Sequence, residues 1–160
     1  MFRPGMRAYI IPLIAGIALT ISAFLPWVTV GDTRLTGFPD MPALWIIGLG
    51  ALAAILATLS LITRRNSRHP LLLVGLVALG IMFLSWRLMP PAVADRALTH
   101  TQALAIVENT PTATAPVTFV GSGIYIGLVA AVAIVGFGLT IVVKRVSTAY
   151  VVPDPDDDVD

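Results

Sequence analysis

Residues 22–45 read SAFLPWVTVGDTRLTGFPDMPALW. The stretch is apolar as far as the Pro26-Trp27 pair, shows charge only at Asp32, Arg34 and Asp40, and is apolar again from Met41. It separates two uncharged runs, Ala8 to Gly31 and Met41 to Thr63. A helix crossing a bilayer core needs about 20 apolar residues, and each run supplies them. The reading is that a helix leaves the bilayer at Pro26-Trp27, makes a tight turn, and re-enters as a second helix. Gly31, Gly37 and Pro39 are the turn residues of GDTRLTGFPD. Trp27 and Trp45 are expected at one membrane surface, where an indole ring is half apolar and its N–H stays wet.

Two further uncharged runs, Pro70 to Trp86 and Asn109 to Val143, complete the pattern. The four expected spans are 8–30, 43–63, 71–88 and 122–143. Bulk composition agrees: the 160 residues are 57% hydrophobic and 12% charged, against about 25% charged in a soluble domain. A net charge of +1 argues against a nucleic-acid partner. With no cysteine, disulfide and thiolate chemistry are absent. The first run is too long for a signal-peptide core and continues into Phe24, Pro26 and Trp27, so it reads as a retained span.

Orientation follows from Lys and Arg. Arg3, Arg7, Arg64, Arg65, Arg68, Lys144 and Arg145 fall on one side, and only Arg34, Arg87 and Arg96 on the other. Basic residues stay cytoplasmic, so both termini are expected inside. The expected fold is all-α: an up-down-up-down bundle of four transmembrane helices, N-in and C-in. Helix 3 is expected to stop before Pro90-Pro91. In the second outer loop, Val93, Ala94, Ala97, Leu98, Leu104 and Ala105 share one arc at helical spacing, opposite Asp95, Arg96, Thr99, His100 and Gln102. That predicts a short amphipathic helix on the outer surface or over the bundle. NTPTATAPVTF then reads as extended. The domain boundaries are 1–145 for the transmembrane unit and 146–160 for an acidic, disordered cytoplasmic tail.

No Asp, Glu or His lies within the four spans. Proton coupling, intramembrane proteolysis and haem ligation each need such groups at depth. No catalytic residue, cofactor-binding residue or metal ligand is assigned. Arg87 can snorkel to the headgroups, or pair with Asp32, Asp40, Asp95 or Glu108. It joins Trp27, Trp45 and Trp86 as an expected anchor at the membrane surface. Gly123, Gly127 and Ala131 are spaced by four on helix 4. Small residues let backbones approach where lipid is as apolar as leucine, so this face packs inside one bundle or against a partner. His100 with Asp95 and Arg96 does not make a metal set. The aspartates of the tail, Asp154, Asp156, Asp157, Asp158 and Asp160, lack the pattern of a calcium loop.

PWVTV, followed by LTGFPDMPALWIIGLGALAAILA, resembles the small four-helix membrane proteins of actinobacteria and related bacteria called Trp-biosynthesis-associated membrane proteins. Trp27, Gly37 and the alanine-rich span 51–57 carry the resemblance, which covers about residues 15–65. Helix 4 begins VGSGIY and lacks a Pro-Trp pair. The resemblance implies topology and a bacterial plasma membrane, and no reaction. The functional expectation is a non-catalytic accessory, scaffold or assembly subunit. Its partners are the lipid bilayer and other membrane subunits or a second copy. The alternative is a small oligomeric carrier or channel-like protein, for which Thr20, Ser22, Thr58, Ser60, Ser85 and Thr140 are the candidate path-lining hydroxyls.

Overall fold

The computed structural model of the chain describes residues 9–63, 68–109, 111 and 117–146. The acidic tail, the amino-terminal basic residues and the centre of the basic turn lie outside the described residues. The elements run α1 (Ile10–Ser22), β1 (Pro26–Val30), β2 (Thr33–Thr36), α2 (Met41–Thr63), α3 (Arg68–Glu108), β3 (Thr118–Val120) and α4 (Ser122–Val146). α2, α3 and α4 are long and apolar enough to cross a membrane, so the chain is built as a multi-pass membrane protein.

α1 is shorter than the expected 8–30 span. At about 1.5 Å per residue its 13 residues reach about 20 Å, against roughly 30 Å of hydrocarbon core. Its end is tightened by 3₁₀-type bonds, in which Ala23, Phe24 and Leu25 donate to the carbonyls of Thr20, Ile21 and Ser22. Pro26 then disfavours helix for the residue before it, and the β-branched run Val28-Thr29-Val30 suits a pleated strand. The expected tight turn is therefore a β-hairpin. Val30 pairs with Thr33, Thr29 with Arg34 and Val28 with Leu35, and the register shifts between Pro26 and Val28. Gly31, at φ 55°, holds the left-handed conformation at its tip.

β1 is central in a three-stranded antiparallel sheet of order β2-β1-β3. Val28 pairs with Val120, Thr29 with Phe119 and Val30 with Thr118. Further bonds lock the margins: Gly121 donates to the Trp27 carbonyl at 2.7 Å and Phe38 to the Ala23 carbonyl at 2.9 Å. The carboxyl end of α1 and the amino ends of α2 and α4 thus meet at one sheet.

α3 also departs from expectation. Its 41 residues continue through Pro90 and Pro91, so the segment expected as a separate outer helix is the distal part of α3. The two prolines leave the Trp86 and Arg87 carbonyls without their usual donors. Both residues lie at an exposed surface. The expected faces hold for most of this part: Val93, Ala94, Ala97 and Leu98 are half-buried and Ala105 buried, whereas Asp95, Arg96, Thr99, His100 and Gln102 are exposed. Leu104 is the exception and is exposed.

α1 packs against α2 and α4, and α3 packs against α4 and α2. Leu19, Ile46, Leu71, Met82, Ile124 and Ile134 fill the interior with no exposure. Close approaches use glycine: Gly16 against Gly50 between α1 and α2, Gly75 against Ile134 and Val135, and Gly138 against Leu72 between α3 and α4. Large apolar side chains cover the outside instead, including Ile14, Trp45, Leu73 and Val129. Such a surface has a solvent in lipid.

Candidate functional site

The sheet end of the molecule is organised around Trp27. Its ring is fully buried, and its indole N–H donates to the Ser22 carbonyl at 2.8 Å. A Cβ on Gly37 would collide with the five-membered ring of the indole at Cε2, Cδ2 and Nε1, and one on Gly123 would lie 2.7 Å from Cδ1. Trp27 is therefore the pin between α1, the hairpin and the start of α4, and its N–H is satisfied inside the chain rather than by water. Trp45 does face outward, at 64% exposure, and Trp86 is at the edge of exposure, with Phe83 5.8 Å away between ring centroids.

One cavity lies beside this pin and a second adjoins the first. One, of about 640 Å³, separates the sheet from α3: Val28, Val30 and Leu35 face Met89, Val93 and Ala97 across it, and Arg34, Arg96 and Asp40 line it. The other, of about 800 Å³, lies between the start of α2 and the middle of α3. Met41, Pro42 and Trp45 form one wall, and Val77, Ile81, Leu84 and Leu88 the other. The cavities share Asp40, Met89, Val93 and Arg96. They form an apolar slot that opens into a charged mouth.

Asp40 caps α2, since its carbonyl accepts the first helical bond from Leu44 at 3.1 Å. Among the described residues, Arg34, Arg87 and Arg96 form no ion pair within 4.0 Å. The pairing of Arg87 with Asp32, Asp40, Asp95 or Glu108 is therefore not formed, and Arg87 stands exposed on α3.

Gly123, Gly127 and Ala131 are all buried within the chain. Gly123 faces Trp27 and the Ser22 carbonyl, and Gly127 faces Met82 and the Ser22 hydroxyl. This stripe is occupied intramolecularly by α1 and α3. The hydroxyls considered for a transport path mostly turn back on their own helices. Thr20, Ser22, Thr58, Ser60 and Thr140 donate to the carbonyls of Gly16, Leu19, Ala54, Leu56 and Phe137. Among the described residues, no three of His, Cys, Asp and Glu gather where one metal ion could be held.

No family model matches this chain. Comparison with curated proteins and with solved structures finds no match either.

Sequence reasoning missed the slot. Asp40 and Arg96 belong to segments expected as separate loops, and only the continuous α3 brings them to one mouth. Gly16 carried a usable signal, because it lies four residues from Thr20 on the face that meets Gly50.

Proposed function

We propose that this chain is a non-catalytic accessory, scaffold or assembly subunit of a bacterial plasma membrane. In this reading it crosses the bilayer four times in up-down-up-down order, with α1 as the short crossing and both termini cytoplasmic. A short span is accommodated by local thinning of the bilayer. The isoleucines Ile10, Ile14, Ile17 and Ile21, exposed on the outside of α1, favour a lipid-facing position for it. The bacterial placement rests on the resemblance carried by Trp27, Gly37 and residues 51–57.

One observation carries the accessory role. α3 is about 60 Å long, twice the hydrocarbon thickness, so its distal part projects beyond the core. That part exposes Ile106 at 79% and Val107 at 82%, with Leu104 beside them. Apolar side chains held outside the bilayer suit contact with another protein. Purification of the tagged chain in mild detergent, followed by mass spectrometry, is expected to recover a stoichiometric membrane partner. The triple change Leu104→Ser, Ile106→Ser, Val107→Ser is expected to release it. A lone monomer from native membranes overturns the role.

A further inference from the structure

We propose that the slot between α2 and α3 holds one glycerophospholipid with an anionic headgroup, its phosphate at Arg96 and Arg34 and an acyl chain along α3. The proposal rests on the membrane placement above and is independent of the accessory role. The geometry is the first reason. From Val77 to Met89 the α3 wall rises about 18 Å, close to one leaflet of a roughly 30 Å core. Over that depth the wall is Val77, Ile81, Leu84 and Leu88, broken only by Ser85, and Trp45 closes the far side. With that wall spanning one leaflet, the charged mouth falls on the headgroup side of it, where a phosphate sits.

Charge is the second reason. Arg96 lines both cavities, and Arg34 lines the upper one. Neither guanidinium is neutralised by a described carboxylate within 4.0 Å. Asp40 is the one acidic group lining the mouth. It stands at the amino end of α2, whose backbone dipole offsets part of its charge. Two forked guanidinium groups above an apolar slot complement a phosphate carrying a hydrocarbon tail. A free anion would leave the slot unfilled, and a zwitterionic lipid brings its own ammonium, which competes with the arginines for its phosphate.

The test uses the full chain in phosphatidylcholine nanodiscs containing a minor fraction of phosphatidylglycerol, with retained lipid counted by native mass spectrometry. The expected result is one phosphatidylglycerol retained per chain. The double variant Arg34→Gln, Arg96→Gln is expected to lower its retention at least tenfold, the value of one charge-assisted hydrogen bond. Ile81→Trp fills the slot, leaves both arginines in place, and is expected to abolish retention. Arg87→Gln, outside the slot, is expected to change nothing. Glycerol phosphate added in excess is expected not to displace the lipid. Equal retention of phosphatidylcholine, full retention by the double variant, or displacement by glycerol phosphate overturns the proposal. Resistance of the chain to carbonate extraction reports the membrane placement separately.

Discussion

Gly16 of α1 and Gly50 of α2 meet backbone to backbone: a methyl built on either falls 2.8 Å from the carbonyl oxygen of the other. With hydrocarbon on the outside, burial of apolar area cannot hold two helices together, and close packing must do so. Gly50→Ala is therefore expected to destabilise the protein by about 1–3 kcal/mol, as overpacking does. Gly48, two residues away, has open space around it. Gly48→Ala is expected to be neutral or to stabilise by up to about 1 kcal/mol through helix propensity. Unfolding by titration with dodecyl sulfate compares the two directly.

Trp27 gives a second pair of outcomes. Trp27→Phe keeps a ring between Gly37 and Gly123 but removes the donor to Ser22, at an expected cost of about 1–3 kcal/mol. Trp27→Ala opens a cavity at the junction of three elements and is expected to cost about 3–5 kcal/mol. Thermal denaturation in detergent should rank them in that order. Equal melting of both variants with the parent protein would remove Trp27 from the centre of the sheet end.

The pairing of β1 with β3 can be read chemically, because the chain has no native cysteine. Thr29→Cys with Phe119→Cys places two thiols on directly opposed residues. Cross-strand Cα separations of about 4.5–5.5 Å fall within disulfide range. Mild oxidation is expected to give a faster-migrating band in denaturing gels. Arg34→Cys with Phe119→Cys spans the two outer strands, about 9–10 Å apart, and is expected to stay reduced.

Thr33 is exposed in the hairpin. If the arginine-poor side faces outward, Thr33→Cys in intact cells is expected to react with a membrane-impermeant maleimide. Protection in intact cells with labelling only after lysis would reverse the orientation.

Local patterning was enough to locate most of the helical mass. α2 begins two residues before the expected 43, and α4 begins at the expected 122 and continues three residues past 143. Both helices start at strong local signals, Asp40-Met41-Pro42 and Gly121-Ser122-Gly123. The errors have a common origin. VTVGDTRLT carries the alternation and Gly-Asp tip of a hairpin, a signal left unread when the uncharged run from Ala8 is read whole as one helix. Pro90-Pro91 pointed to a stop, yet good helix formers follow and both prolines accept a helical φ. The partnership of β1 with β3, the burial of Trp27 and the lining of one cavity mouth by both Asp40 and Arg96 depend on residues remote in the chain, and no local window contains them.

The central position of β1 also constrains the order of assembly. A ribosome delivers Pro26–Val30 and its hairpin partner early, but Thr118–Val120 emerge only after α2 and α3 have been made. Until then one side of β1 carries unpaired amides and carbonyls, and Trp27 lacks the Gly123 wall. The sheet end therefore closes last, once α4 has been made. A nascent chain truncated before α4 would present that open edge to whatever chaperone or insertase is waiting.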